Sequence, residues 1–190
     1  YTWTPPACAA PGGQSVTSVT TTSATFNWAT NGATSYDWEI RTSGAAGSGP
    51  AGLVDGGNVA AGPVSSVLLA QNTVYSAYVR SICPGPTTSD WSTATNFTTP
   101  CSAVNVPWSD GFEANTIDYS GTGLQIVPCF TGENMIGGPG SCWRQRVTAI
   151  RNGIGAHSGT DYMTATWSTD CWIYSPPINL TAGQSYDFSY

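Results

Sequence analysis

Lysine is absent from this 190-residue chain, and five arginines are its whole basic complement. Charged residues make up only 8% of it. The formal net charge of −6 divides as −2 over residues 1–99 (four acidic, two Arg) and −4 over residues 100–190 (seven acidic, three Arg). Without a basic patch, nothing draws a phosphate backbone or an anionic membrane surface, and nucleic acid is rejected as a partner. No apolar run approaches the roughly 20 residues that a membrane-spanning helix needs, so no membrane insertion is expected. The opening Tyr-Thr-Trp-Thr-Pro-Pro lacks the basic start and apolar core of a signal peptide. It reads as a linker inside something longer. Histidine occurs once, at His157, and no C-x2-C pair exists, which disfavours zinc.

Six cysteines are present, an even number, and they point to disulfides and an oxidising compartment. With so little charge, solubility rests on Thr, Ser, Asn and Gly, a surface style usual in secreted β-proteins. The first hundred residues are patterned with period 2. Ala24, Phe26 and Trp28 alternate with Thr25 and Asn27; Tyr36, Trp38 and Ile40 alternate with Asp37, Glu39 and Arg41. Each run predicts a strand with one face on a core, and the second predicts a charged outer face. Tyr75, Ala77 and Val79 repeat the pattern. Turn chemistry lies between, at Asn31-Gly32, in the Gly/Ala/Ser-rich stretch 43–52, and at Asp55-Gly56-Gly57. Strands are expected at residues 16–19, 24–29, 35–42, 53–55, 66–70, 74–81 and 94–98, a set that suits a two-sheet antiparallel sandwich.

Leu69, a polar Asn72-Thr73 turn and Tyr75 entering the next strand have the spacing of a tyrosine corner. With YVRSIC…SDWS…NFTT, the segment resembles the end of a fibronectin type III domain, in the variant found in large secreted surface proteins of Bacteroidetes. Such domains space, display and bind. In a sandwich of that topology the first strand begins at the pole where the sixth ends. Cys8 and Cys83 should therefore lie within reach of a bridge. Cys101, Cys129, Cys142 and Cys171 remain, with three possible connectivities; Cys101–Cys129 with Cys142–Cys171 is favoured.

The sequence style changes after Pro100, so residues 1–100 and 101–190 are read as two domains. The second carries Asp110-Gly-Phe-Glu113, His157-Ser-Gly159 and Trp172-Ile-Tyr-Ser-Pro-Pro-Ile-Asn-Leu-Thr-Ala-Gly183. In these it resembles the jelly-roll domains of the MAM-like, cleaved-adhesin and choice-of-anchor group. The fold class expected is therefore all-β, a fibronectin type III-like sandwich followed by a jelly roll that is incomplete at residue 190. Tyr162–Trp167 and Tyr186/Phe188/Tyr190 alternate as strands, and Pro176-Pro177 ends the strand from Trp172 or confines it to an edge.

Chemistry finds few candidates. Gly47-Ser-Gly-Pro-Ala-Gly52 fits G-x-G-x-x-G, but it joins two antiparallel strands and has no helix behind it, so it is a chance match. His157, Ser158 and Asp161 make a triad on paper only, since neighbours in a strand or turn point apart and no G-x-S-x-G elbow exists. Asp110 and Glu113 would be a glycosidase pair only in a cleft that nothing indicates. The jelly-roll resemblance implies a calcium site on Asp110 and Glu113, with carbonyls of residues 157–161 and the Asp161 carboxylate. Its rival is that these acids are simply solvated. Eight tryptophans are many for this length. Trp28, Trp38 and Trp91 are assigned to the core. Trp108, Trp143 and Trp167, together with Trp3, are less constrained and are either ligand-stacking platforms or, the favoured reading, packing residues.

The expectation is a non-catalytic, extracellular structural or adhesive module of a long surface or filament protein. Its partners would be copies of itself, neighbouring repeats and surface glycans. The alternative is a carbohydrate-binding or spacer module attached to a secreted hydrolase.

Overall fold

The computed structural model describes residues 8–85, 87–112, 129–134, 143–147, 161–165 and 171–189. The chain divides into two compact units, Tyr1–Pro100 and Cys101–Tyr190. Among the described residues every regular element is a strand. None is a helix long and apolar enough to cross a membrane.

Unit 1 is built from β1 (Gly12–Thr17), β2 (Ala24–Ala29), β3 (Ser35–Arg41), β4 (Leu53–Val59), β5 (Val64–Ser66), β6 (Val74–Cys83), β7 (Thr87–Thr88) and β8 (Thr95–Thr98). One sheet runs β1-β2-β5 and the other β4-β3-β6, with β7 and β8 both paired to β6. All these pairings are antiparallel. The alternating residues meet between the sheets as an antiparallel sandwich does. Phe26, Ile40, Ala77 and Val79 are fully buried, and Ala24, Trp28, Tyr36, Trp38, Val64, Leu69 and Tyr75 complete the core. Aromatic rings carry much of it: Phe26 and Trp28 lie 5.3 Å apart, Trp28 and Tyr36 5.8 Å. The tyrosine corner is present. The Tyr75 hydroxyl accepts from the Ala70 N–H at 2.7 Å, with Leu69 buried beneath the turn.

β7 and β8 are halves of one interrupted edge. Between them, Ser89 and Ser92 donate backbone N–H groups to the carbonyls of Ser81 (3.0 Å) and Val79 (2.8 Å). Their hydroxyls accept from the N–H groups of those same two residues, at 2.9 and 3.2 Å. Side-chain oxygens thus stand in for missing backbone carbonyls, and the ladder of β6 stays satisfied across the break.

Several expectations are corrected. Arg41 does not join a solvated outer face: its side chain is fully buried. A β-bulge where Arg41 meets Leu53 turns it under the 43–52 loop. There its guanidinium donates to the carbonyls of Ser43, Gly49 and Ala51, the hydroxyl of Ser48 and the carboxylate of Glu39. Asp55-Gly56-Gly57 is not a turn but the middle of β4, opposite Ile40, Glu39 and Trp38. A β-carbon on Gly56 would sit 2.8 Å from the Trp38 carbonyl oxygen, so glycine here reflects close backbone approach rather than a chain reversal. Trp91 is half-buried outside the core, under the Arg80 guanidinium at 4.7 Å. The strand expected at 66–70 lies earlier, at Val64–Ser66, because Leu69 is taken up by the corner and leaves Val67 and Leu68 exposed.

Unit 2 contains β9 (Val104–Asn105), β10 (Thr131–Asn134), β11 (Trp143–Val147), β12 (Asp161–Ala165), β13 (Cys171–Tyr174) and β14 (Ile178–Asn179). β10 pairs with β13 and β11 with β12, both antiparallel, while β9 and β14 are parallel. Pro176 and Pro177 fall between β13 and β14, where no ladder N–H is needed. The expected strand over 184–190 forms no ladder among the described residues; alternation sets a strand's faces, but a ladder needs a neighbour.

The turn before it repeats the geometry of unit 1. Leu180 precedes Tyr186 by the same interval that separates Leu69 from Tyr75. The Thr181 N–H donates to the Tyr186 hydroxyl at 2.7 Å, as Ala70 does to Tyr75. Gly183 (φ 81°) holds the left-handed position that Asn72 (φ 49°) holds in the first corner. Both turns need positive φ there, which Gly and Asn supply most readily.

Candidate functional site

Two regions bear on function: the poles of unit 1, where the chain enters and leaves, and the outer face of its larger sheet.

At the entry pole Cys8 is bonded to Cys83, with Cα atoms 5.8 Å apart. Beside it the Asn31 side chain donates to the Ala9 carbonyl at 2.7 Å and to the Ser81 hydroxyl at 3.0 Å. The Tyr36 hydroxyl holds Asn31 from below, donating to its Oδ1 at 3.1 Å. At the exit pole the buried Thr99 hydroxyl donates to the Ala70 carbonyl and accepts from the Thr73 N–H at 3.1 Å. The Thr99 N–H donates to the Thr73 carbonyl at 3.1 Å, and the Asn72 N–H to Pro100 at 3.3 Å. Entry is thus fastened at the end of β6 and exit at its beginning. With ten residues in β6, the two anchor points are about 30 Å apart at strand rise.

On the outer face, Arg80 binds Asp37 through Nε (2.9 Å) and Nη2 (2.8 Å), and Asn58 donates to the other Asp37 oxygen at 2.8 Å. Glu39 Oε2 accepts from Arg41 Nη1 at 2.7 Å and from the Gly47 N–H at 3.0 Å. The sequence showed Asp37 and Glu39 as outward-facing but gave no sign that Trp91 would lie against Arg80 beside them. That contact depends on the interrupted edge between β7 and β8.

The residues singled out in unit 2 fare differently. Cys101 is bonded to Cys129, with Cα atoms 5.7 Å apart. Trp108 is half-buried with its ring 6.0 Å from Phe130, and Phe112 lies 5.5 Å from the same ring, so Trp108 has a packing partner. The exposed Asp110 accepts from the Phe112 N–H at 2.7 Å, closing a turn with one carboxylate oxygen. Glu113, Cys142, His157 and Trp167 lie outside the described residues. Trp143, Asp161 and Cys171 are described only by strand position: Trp143 opens β11, Asp161 opens β12 opposite Val147, and Cys171 opens β13. β11 and β13 are not paired with each other. Among the described residues no three His, Cys, Asp or Glu gather as a metal site, and no free cysteine occurs.

No family model matches the chain, and no curated protein does. Among solved structures it is similar to the fn3 domain of human collagen alpha-1(XX) chain, at 22% identity and TM-score 0.43, over 57% of this chain and 97% of that one. It is also similar to the FN5 domain of Drosophila Lar, at 20% identity and TM-score 0.38, over 50% of this chain and all of that one. A fibronectin type III domain derived from human KIAA0970 protein is similar at 15% identity and TM-score 0.40, over 53% of this chain and 80% of that one. The sandwich itself is established by strand order and register. Among the described residues the chain is all-β, and its first unit is a two-sheet antiparallel sandwich closed by a disulfide.

Proposed function

We propose that the chain is a non-catalytic, extracellular structural module, a load-bearing spacer within a longer surface or filament protein. The single observation that carries this reading is the fastening of unit 1 at opposite poles. A unit entered at one end of β6 and left at the other sets a fixed distance between whatever flanks it, and both anchor points are buried or covalent. The disulfides agree with a secreted location, since such bonds persist in oxidising compartments. In this reading unit 2 is a jelly-roll display domain, and copies of the chain or neighbouring repeats are its partners. The alternative is a carbohydrate-binding or spacer accessory module of a secreted hydrolase, and a catalytic domain in the full-length protein would favour it.

Stretching single chains between their ends tests the spacer. Unit 1 should resist load and give way in one step; gradual extension at thermal forces would refute it. Purified chain should turn over no peptide or glycan. Turnover that is lost in His157→Ala would overturn the non-catalytic reading. Calcium on Asp110, Glu113 and Asp161 is part of the proposal, and it should raise the melting temperature of unit 2 by linkage.

A further inference from the structure

The outer face of the larger sheet holds a groove of about 240 Å³ that the spacer role does not use. Asp37, Glu39, Leu53, Gly56, Arg80 and Trp91 line it. We infer that this groove is a saccharide-binding site, taking one neutral sugar ring.

Size comes first. The volume falls below the ~300–1,000 Å³ of drug-sized pockets, which leaves room for a single ring or the end of a glycan. The floor is backbone: a β-carbon on Gly56 would strike the Trp38 carbonyl oxygen at 2.8 Å, so no side chain intrudes at that point. Leu53, 39% exposed, and Trp91, whose ring also carries the Arg80 guanidinium at 4.7 Å, are the apolar members of the lining against which the C–H groups of a sugar would pack.

Charge then narrows the class. Asp37 is neutralised by Arg80 and Glu39 by Arg41, so the groove has no net charge to attract a phosphate or a metal ion. What it offers is hydrogen-bonding capacity already in position. Glu39 Oε2 is held by two donors, and Oε1 has no hydrogen bond among the described residues, which leaves an acceptor open. Asp37 is held on both oxygens, and Arg80 is pinned between that carboxylate and the Trp91 ring. Side chains fixed before a ligand arrives lose little conformational freedom on binding. Hydroxyl groups, each donor and acceptor at once, match a mixed set of carboxylates and a guanidinium better than a purely anionic or cationic ligand would.

The test is a series of 1H–15N spectra of the whole chain titrated with glucose, galactose, mannose and N-acetylglucosamine. At least one sugar should produce saturable shifts at the Trp91 indole N–H and the Gly56 amide. Leu53→Glu, at an exposed rim position, should weaken that binding at least tenfold, whereas Val67→Glu, exposed away from the groove, should leave it unchanged. If Leu53→Glu disturbs the fold, Leu53→Ala trims the rim and should weaken binding in the same direction. The inference is overturned if none of the four sugars moves those signals, or if the shifts persist undiminished in the Leu53 variants. The spacer reading stands or falls separately, on the stretching experiment.

Discussion

Replacing both Cys8 and Cys83 with serine should change how unit 1 yields to force by an amount the structure specifies. The bond closes a loop with a sequence separation of 75 residues. When the intact unit is pulled from its poles, that loop is bypassed by a covalent link. Only the segment from Cys83 to Pro100, 100 − 83 = 17 residues, can then be drawn out, about 60 Å at ~3.5 Å per residue. In the double variant the loop joins the load path, and the released length should grow by about 260 Å for the 75 residues. Loop-closure entropy for that separation is worth about 4.5 kcal/mol in the chain-entropy model. A domain of this size has roughly 5–15 kcal/mol in hand, so the variant should still fold, with a urea midpoint lower by about 2 M for m near 2 kcal/mol/M. Optical-tweezers traces of wild type and variant under non-reducing conditions would measure the step. Serine substitution is preferable to a reducing agent, which would also open Cys101–Cys129. Equal step lengths in the two proteins would refute both the bond's place in the load path and the spacer geometry built on it.

Arg41→Ala should cost about 3–5 kcal/mol in chemical denaturation, because it strips a buried guanidinium from Glu39 and from three loop carbonyls; Arg41→Lys, lacking the planar fork, should recover only part of this. Tyr75→Phe should lower stability by about 1 kcal/mol through loss of the Ala70 N–H bond, and a change within error would show that water replaces the hydroxyl there. Chelator should lower the melting temperature of unit 2 if calcium binds only its folded form; superimposable curves with and without chelator would remove calcium from the proposal.

Much of unit 1 was legible because the signal is local. Phe26 and Trp28, Trp38 and Ile40, and Ala77 and Val79 lie two residues apart within their strands. Period-2 alternation therefore assigns them to one face whatever the partner strands turn out to be. The tyrosine corner is likewise a short-range device, written in Leu69 and Tyr75, and the same spacing from Leu180 to Tyr186 encodes a second one that alternation alone does not announce. Cys8 and Cys83 come together through topology, which follows once the strand count is known.

Tertiary structure alone decided the rest. The alternation that turned Glu39 outward predicted the same for Arg41, but a bulge and an overlying loop buried it among carbonyls that no sequence period reports. Gly56 and Gly57 carry turn chemistry in any local reading, yet pairing with β3 made them strand residues, and at Gly56 only glycine leaves room for the Trp38 carbonyl. Trp91 lies outside the core against the Arg80 guanidinium, on the interrupted edge where Ser89 and Ser92 satisfy the β6 backbone with their hydroxyls. Local sequence fixes which way a side chain faces within its own strand. What meets it there is set by segments distant along the chain, and the groove of Asp37, Glu39, Arg80 and Trp91 is made of such meetings.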